Sequence, residues 1–459
     1  MTHPSLRMRA LAIALCLPLT LPAQAAGIGS IWPERQPQPL PPSQPNFHAP
    51  SAVSCERPVE SRVVGGRSPE QEQARLERRE LAADHVAARA SARSDGAAES
   101  KAMLAPMPAP VQRQPQAPAQ PVTAGMVDDN ANFGEYQAFR ARTQVQHRER
   151  DVRERYLLEV KDASGRGLAD AEVAVRAANG AAMWARTDTA GHAWLHPDAF
   201  DPGHASKYEV TARKNGRQMT TTLTRGQKSS VELRLDGASQ SARARLDLVF
   251  LVDATGSMGD EIEKLRASLQ NIVADISRLP SRPDLCLGLV AYRDKGDEYL
   301  IKSHDLSNDV PGFQRALNQL KANGGGDYPE AMSEAFDDTV QNISWRGDGA
   351  TRLVVLLADA PPHLDYGGPQ YDDSMVAALG KGIKVFSVGA SGLDAQGEYI
   401  QRQIAQYTGG RFVFLTYEDA RKPGAAPGRE TSHDVSNYSV ETLDRLIVKL
   451  VSQELAALN

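Results

Sequence analysis

Apolar residues follow two different patterns along the chain. From residue 153 to residue 236, short segments such as 158–160 and 172–175 alternate apolar and polar residues, and turn residues separate them. Beyond residue 242, longer apolar runs alternate with segments whose apolar residues recur at helical spacing. The first pattern predicts a small all-β sandwich. The second predicts an α/β domain in which helices cover both faces of a buried, mostly parallel sheet.

The α/β domain is predicted to span residues 245–458 and to contain a doubly wound, Rossmann-like sheet. Its last helix is predicted at residues 440–458. The predicted strands are residues 246–252, 285–292, 353–358, 383–388 and 411–415. In the sandwich, Asn215-Gly216 between two strand-like runs predicts a β-hairpin, because both residue types accept the left-handed backbone conformation of a tight turn.

The first 150 residues have a different composition. Two arginines precede an apolar run over residues 10–21, and an Ala-Gln-Ala site follows it and ends at Ala25. This layout predicts a signal peptide over residues 1–25, with cleavage near Ala25, and therefore a secreted or periplasmic protein. Proline-rich and alanine-rich segments then fill residues 26–150. Such segments bury too little apolar surface to offset the entropy of ordering, which predicts a long disordered stalk.

Charge and cysteine content narrow the classes of function. The chain has 52 Lys and Arg residues against 57 Asp and Glu, a net charge of −5, which disfavours nucleic acid as a partner. After removal of the signal peptide, no apolar segment predicts a transmembrane helix. The cysteines that remain are Cys55 and Cys286. Cys286 lies in an apolar run, which favours a buried thiol, and the spacing leaves a disulfide between the two cysteines open.

Oxygen-bearing side chains follow the predicted strands of the α/β domain. Asp253, Thr255 and Ser257 alternate in the turn after the first strand, and Asp359 follows the third. Asp327 lies in a glycine-rich segment before another predicted helix. Because the carboxyl ends of parallel strands meet at one edge of a sheet, we expect these side chains to lie close together. Carboxylate and hydroxyl oxygens predict a divalent cation, first Mg²⁺, with Mn²⁺ and Ca²⁺ as alternatives.

The order of these residues resembles a von Willebrand factor A domain with its metal-ion-dependent adhesion site. That family uses Asp-x-Ser-x-Ser in a first loop, a Thr in a second and an Asp in a third; residues 253–257 match the first loop, and Asp359 matches the third. Residues 409–412 match the entry to a late strand. The second loop departs from the pattern with Gly-Gly-Gly-Asp-Tyr-Pro-Glu. We assign the role of the Thr to Asp327, whereas an ungapped alignment places Gly326 there.

The resemblance implies a protein-binding or adhesion module, not an enzyme. The implied metal ligands are Asp253, Thr255, Ser257, Asp327 and Asp359. The cation would keep one coordination position open for an acidic side chain of a protein partner. A second carboxylate at Asp327 would strengthen cation binding and reduce the demand for the partner's charge. Residues 153–236 resemble the carboxypeptidase-regulatory-like or transthyretin-like domains of immunoglobulin type, which act as spacers or weak binding units.

Three other interpretations of the same turn stay open from the residues alone. Asp253 and Ser257 would also suit the cap of the helix that follows. The segment Thr-Gly-Ser-Met-Gly approaches the Gly-x-Ser-x-Gly turn of a serine hydrolase with Ser257 as nucleophile and His363 or His433 as base, although Thr255 replaces the first glycine. Asp-x-Thr-Gly also resembles a phosphoaspartyl acceptor, but the paired acids of that chemistry are missing.

Overall fold

The fold combines one large sheet, two small sheets and flanking helices. In a computed structural model, the described residues are 55–66, 121–236, 244–347, 349–422 and 426–458. The predicted signal peptide lies outside these ranges.

The strands are, in chain order, β1 (Ser61–Val64), β2 (Thr123–Val127), β3 (Tyr156–Lys161), β4 (Glu172–Ala177), β5 (Ala182–Arg186), β6 (His192–Leu195), β7 (Lys207–Lys214), β8 (Arg217–Thr224), β9 (Val231–Arg234), β10 (Arg245–Asp253), β11 (Asp284–Tyr292), β12 (Ile301–Ser307), β13 (Ala350–Ala358), β14 (Ile383–Gly389), β15 (Phe412–Thr416) and β16 (Glu441–Thr442). The helices are α1 (Phe133–Arg142), α2 (Pro197–Phe200), α3 (Gly259–Ser277), α4 (Val310–Asn318), α5 (Met332–Asn342), α6 (Tyr371–Lys381), α7 (Ala395–Tyr407) and α8 (Leu443–Ala456). Within the described ranges, no helix has the length and apolar character required to cross a bilayer.

The large sheet has the strand order β1-β12-β11-β10-β13-β14-β15-β2-β16. Its central strands, from β11 to β15 in that order, pair in parallel, and the strands outside them pair antiparallel. After its first residue, β10 is buried along its whole length. The prediction of an α/β fold with a mostly parallel sheet is therefore confirmed. The start of β13 differs from its predicted position by three residues, and the other ends of the five predicted strands differ by at most one.

Helices cover both faces of the large sheet. On one face, Leu248, Phe250 and Val252 of β10 pack in the same core as residues of α3, α4 and α8. On the other face, Val249 and Leu251 share a core with α5, α6, α7 and the two small sheets. A strand buried on both faces needs apolar residues at consecutive positions, which explains the uninterrupted apolar run of β10.

The two small sheets come from the region predicted as a sandwich. One has the strand order β6-β3-β9 and the other β5-β4-β7-β8. Leu158 of β3 and Val173 of β4 are fully buried in one continuous core, so the two sheets share apolar surface. The predicted hairpin is confirmed, since Lys214 pairs with Arg217 across Asn215-Gly216 and both turn residues have positive φ.

A buried ion pair attaches this region to the large sheet. Asp170 Oδ1 accepts hydrogen bonds from Arg186 Nε at 2.5 Å and from Arg352 Nη1 of β13 at 2.9 Å. Burial alone would raise the pKa of Asp170, but the charges of Arg352 and Arg186 outweigh it and hold that pKa well below its usual range. The junction lies near the start of β13, at the end of the strand opposite to Asp359.

Two parts of the predicted disordered stalk, residues 55–66 and 121–150, are folded in the structure. β1 pairs with β12, β2 lies between β15 and β16, and Phe139 of α1 is buried in the core. Cys55 and Cys286 form a disulfide, which answers the question that their spacing left open. These short elements are ordered by pairing and packing with residues that lie far away in the chain, and local composition does not reveal such contacts. The prediction of disorder is corrected for these residues.

Candidate metal centre

The turn after β10 presents a row of oxygen atoms. The backbone N–H of Thr255 donates to Asp253 Oδ1 at 2.9 Å, and the Thr255 hydroxyl donates to the same atom at 2.7 Å. Thr255 Oγ1 lies 3.1 Å from Ser257 Oγ. Asp253 and Thr255 are buried, whereas Ser257 is exposed. The row of oxygens therefore leads from the core to the surface.

The side chains of this turn do not cap the helix that follows. The N-cap position of α3 is Met258, which makes no side-chain cap hydrogen bond. The other carboxylate oxygen of Asp253, Oδ2, instead accepts a hydrogen bond of 3.2 Å from the hydroxyl of Tyr292 at the end of β11. The capping interpretation of Asp253 and Ser257 is therefore wrong.

Asp359 brings a second carboxylate to the same position. It follows β13, the parallel neighbour of β10, and its side chain contacts those of Ser257 and Asp253. Asp359 Oδ1 is buried and has no hydrogen-bond partner in the part of the chain that the structure describes. Four of the five predicted ligands, Asp253, Thr255, Ser257 and Asp359, are thus brought together.

A third carboxylate comes from Glu330, which the sequence analysis did not select. The side chain of Glu330 is buried, and its Oε2 atom has no hydrogen-bond partner among the described residues. Its Oε1 atom occupies the space that a side chain at Gly325 would need. The Glu330 backbone is fixed by two hydrogen bonds of 3.1 Å. Its N–H donates to the carbonyl of Pro361, and its carbonyl accepts from the N–H of His363. The sequence does carry a signal, an acidic residue directly before the apolar residues 331–332.

The three buried carboxylates disfavour each other's ionised form. Burial, followed by the charge of Asp359, raises the pKa of Asp253 to about 7. Burial, followed by the charge of Asp253, raises the pKa of Glu330 to about 9. Burial also raises the pKa of Asp359. A divalent cation between these groups would offset their repulsion, and carboxylates with hydroxyls form a ligand set that suits Mg²⁺.

Asp327 belongs to a different group. Its Oδ2 atom lies 3.8 Å from Nε2 of His363, which in turn lies 3.9 Å from Oδ2 of Asp294. The side chain of Asp327 is 64% exposed. Because the backbone bonds of Glu330 fix that residue in the inner position, Asp327 is left on the outer side of the loop. We therefore replace Asp327 by Glu330 in the candidate ligand set.

The two histidines considered as general bases have other partners. His363 Nδ1 lies 2.9 Å from Asp365 Oδ1, and His433 Nδ1 lies 3.2 Å from Glu398 Oε2. Ser257 itself contacts Thr255 and Asp359. Neither histidine therefore forms the hydrogen-bonded nucleophile and base pair that a serine hydrolase requires.

Known proteins resemble part of this chain, and the residues that match a family model include Asp253, Thr255, Ser257 and Glu330 but not Asp359. Residues 247–348 match the family model described as von Willebrand factor A domain. The chain is 29% identical to alpha-protein kinase vwkA of Dictyostelium discoideum over 163 residues, which make up 35% of this chain and 25% of that protein. It is 33% identical to von Willebrand factor A domain-containing protein 7 of Mus musculus over 115 residues, 25% of this chain and 12% of that protein. It is 25% identical to integrin beta-4 of Homo sapiens over 237 residues, which cover 44% of this chain and 12% of that protein. The chain thus spans a quarter or less of each of these relatives.

Proposed function

We propose that this chain, which carries a von Willebrand factor A domain, is an exported module that binds a protein partner through a divalent cation, most simply Mg²⁺. One observation carries the proposal. Asp253, Asp359 and Glu330 converge at one edge of the sheet, and two of their buried oxygens have no hydrogen-bond partner among the described residues. Buried carboxylates either stay protonated, which their raised pKa values indicate for the metal-free protein, or are ionised beside a compensating charge, which a cation supplies. The exposed Ser257 marks the side from which a partner reaches that cation.

The number of carboxylates sets how strongly the cation seeks a partner. In this proposal Glu330, and not Asp327, supplies the additional carboxylate. That carboxylate strengthens cation binding and reduces the charge left for a partner to satisfy. An acidic side chain from a partner then competes with Glu330 for the cation. The proposal therefore predicts tight Mg²⁺ binding and moderate affinity for acidic partners.

The test is binding of the full chain to immobilised synthetic peptides, paired so that one version has Glu and the other Gln at a single position. We expect the Glu peptides to be retained in Mg²⁺ and released by EDTA. Ser257→Ala removes an exposed hydroxyl ligand and should weaken retention by about 10-fold or more. Ser229→Ala, at an exposed serine before β9, is the matched control and should bind as the parent. Retention that survives EDTA, or that Ser257→Ala leaves unchanged, would contradict the proposal.

The proposal does not assign a catalytic role to the chain. The relative named as a kinase shares only a quarter of its length with this chain, so its activity is not carried over. The serine hydrolase interpretation lacks a base at Ser257, because Ser257 contacts Thr255 and Asp359 and no hydrogen bond joins it to a histidine among the described residues. A serine-reactive fluorophosphonate is expected to leave Ser257 unlabelled, and labelling that Ser257→Ala abolishes would favour the hydrolase.

Two independent features support export. The sequence of residues 1–25 has the layout of a signal peptide. The Cys55–Cys286 disulfide is typical of proteins that fold in an oxidising compartment. Sequencing the amino terminus of the protein recovered from the periplasm or the medium should show Ala26 as the first residue. Recovery of the uncleaved chain from the cytosol would argue against export.

We assign residues 153–236 the role of a β-sandwich spacer of carboxypeptidase-regulatory-like type. Its two sheets share a core, and Asp170 joins it to Arg352 near the start of β13. Asp359 follows the end of the same strand, so the junction and the metal centre lie at opposite ends of β13. A spacer in this position leaves the cation accessible.

A further inference from the structure

A second group of metal-ligand side chains lies beside the metal centre. One ligand atom from each of Asp294, Asp327 and His363 lies within 4.8 Å of the others. His363 Nε2 is 3.9 Å from Asp294 Oδ2 and 3.8 Å from Asp327 Oδ2. The three residues come from three different loops, after β11, before α5 and after β13. The proposed partner-binding function uses none of them.

The imidazole of His363 is held in one orientation. Its ring stacks on Tyr366 with centroids 3.7 Å apart and planes 7° apart, and its side chain is 7% exposed. Nδ1 lies 2.9 Å from a carboxylate oxygen of Asp365. An ionised carboxylate only accepts hydrogen bonds, so Nδ1 carries the proton and donates it. In the neutral ring, Nε2 then directs its lone pair toward Asp294 and Asp327, buried and without a hydrogen-bond partner among the described residues.

The distances fit a metal ion between these groups better than a proton. An N–H···O hydrogen bond measures about 2.7–3.2 Å, which is shorter than the 3.8 and 3.9 Å separations from His363 Nε2. Zn²⁺ binds histidine nitrogen and carboxylate oxygen at about 2.0–2.2 Å, so two ligands of a tetrahedral site lie roughly 3.4 Å apart. The separations of 3.8 and 3.9 Å from His363 Nε2 exceed that spacing by about half an ångström.

The charges around the group also favour a cation. Glu334 is buried, and neither of its carboxylate oxygens has a hydrogen-bond partner among the described residues. Lys295 lies 3.8 Å from Glu334 and 3.4 Å from the centroid of the Tyr366 ring. The Tyr366 hydroxyl donates to Asp294 at 2.9 Å and so orients that carboxylate. Among the described residues around this group, the acidic side chains outnumber the ammonium of Lys295; they are Asp294, Asp327, Glu334 and Asp365.

We infer that Asp294, Asp327 and His363 form a second cation site, which binds a transition-metal ion, with Zn²⁺ as the best match. An imidazole ligand favours Zn²⁺ over Mg²⁺ and Ca²⁺, which prefer oxygen ligands. Three protein ligands leave a fourth tetrahedral position for water or an external ligand, on the side of the exposed Asp327. The hydrogen bond that Nδ1–H donates to Asp365 fixes the tautomer, as carboxylates do behind many zinc-bound histidines.

The test is Zn²⁺ binding to the full chain, prepared without a polyhistidine tag and saturated with Mg²⁺. Calorimetry gives the stoichiometry, and Co²⁺ absorption reports a nitrogen ligand. The parent is expected to bind one Zn²⁺ more than His363→Gln. The Zn²⁺ affinity of this site should fall by more than about 100-fold in His363→Gln, because loss of a residue that only orients a ligand already costs about 10- to 100-fold. Asp365→Asn should show that smaller loss. Asp327→Asn, at an exposed side chain, should also lose the ion while remaining folded.

Two controls separate this site from surface binding and from the Mg²⁺ centre. His204→Gln changes an exposed histidine that also pairs with a carboxylate, Asp198, at 3.0 Å, and should leave Zn²⁺ binding unchanged. Ser257→Ala should likewise keep the Zn²⁺ site, even where it abolishes peptide retention. Equal Zn²⁺ binding by the parent and His363→Gln, or no Zn²⁺ binding by the parent, would overturn the inference.

Discussion

The backbone N–H of His363 donates a 3.1 Å hydrogen bond to the carbonyl oxygen of Glu330, so a ligand proposed for one cation is bonded directly to a ligand proposed for the other. The N–H of Glu330 donates to Pro361 of the same loop, also at 3.1 Å. These bonds join the loop before α5 to the loop after β13. A shift of either loop therefore moves groups at both sites. We expect Mg²⁺ and Zn²⁺ to change each other's affinity, and by the same factor.

Glu330→Gln should reduce the stabilisation that Mg²⁺ gives to the protein. Without metal at pH 7, the variant lacks a carboxyl group whose burial, and the charge of Asp253 beside it, raise its pKa to about 9, so it avoids the cost of protonating that group on folding. It should therefore unfold at a higher temperature than the parent, by about 2–4 °C for each kcal/mol of that cost removed. With Mg²⁺, the neutral amide binds the cation less strongly, so the metal-induced rise in Tm should be smaller. Thermal unfolding in EDTA and in Mg²⁺ measures both effects.

The matched control for this variant is Glu263→Gln, at an exposed position of α3. It should match the parent in both buffers, because Glu263 lies outside the candidate ligand set. An equal Mg²⁺-induced rise in Tm for Glu330→Gln and the parent would show that Glu330 does not contact the cation.

The same substitution should sharpen the preference for acidic partners. With Glu330 neutral and Mg²⁺ saturating, the cation keeps more positive charge for a partner carboxylate. The ratio of Glu-peptide to Gln-peptide binding should therefore rise several-fold above that of the parent. A ratio that falls or stays constant, at Mg²⁺ concentrations shown to saturate the variant, would exclude competition between Glu330 and the partner.

The metal-free protein should lose stability as the pH rises. The folded-state pKa values of Asp253, about 7, and Glu330, about 9, lie above the ordinary values of about 3.9 and 4.3. The folded state therefore keeps protons that the unfolded chain has released, and this contribution is full below about pH 4 and is lost as the pH rises through the folded pKa values. Urea unfolding in EDTA should give a lower free energy of unfolding at pH 8 than at pH 5, with a smaller difference in Glu330→Gln. A higher value at pH 8 in both proteins would contradict the raised pKa values.

His196 should contribute to acid sensitivity. It is fully buried against Tyr407, with ring centroids 5.0 Å apart, and burial, followed by the charge of Arg155, lowers its pKa to about 3. Between pH 6.5 and pH 3 the unfolded chain gains a proton that the folded protein does not. This reduces the free energy of unfolding by up to about 1.4 kcal/mol per pH unit as the pH falls. His196→Phe keeps a stacked ring and should show a shallower loss between pH 7 and pH 5, whereas His204→Phe, at an exposed histidine, should follow the parent.

Asp170→Asn should destabilise the junction between the small sheets and the large sheet. Removing the carboxylate leaves Arg186 and Arg352 buried without their common counter-charge, which typically costs about 3–5 kcal/mol. Chemical denaturation of the variant measures this cost. Glu209→Gln removes an exposed ion pair with Arg176 in the same small sheet and should cost less than about 1 kcal/mol. Similar effects of the two changes would show that the junction does not depend on Asp170.

The central strands could be predicted because burial on both faces leaves a continuous apolar run. Residues 246–252 were predicted as a strand, and β10 occupies Arg245–Asp253. β12, at Ile301–Ser307, could not be predicted in this way, because it contains polar residues such as Lys302 and Asp305 and is ordered by pairing with β1 and β11. Sequence pattern therefore identifies strands that the core requires, and it misses strands that depend on their neighbours.

The same limit applies to the candidate site. Asp253, Thr255, Ser257 and Asp359 could be predicted because they follow the ends of strands that the apolar pattern identifies. Glu330 has only a weak local signal, because its inward position depends on backbone bonds to a loop more than thirty residues away in the chain.

The disulfide between Cys55 and Cys286 links residues near the start of the described chain covalently to a central strand of the large sheet. Cys286 lies in β11, which pairs in parallel with β10 and so lies beside the strand that ends at Asp253. The two small sheets lie between the two cysteines along the chain. Under the proposed function, tension applied to residues before Cys55 and resisted by a partner on the cation would enter the large sheet through this covalent bond and through β1, both of which precede the small sheets in the chain. The large sheet would then bear the load and the small sheets would not.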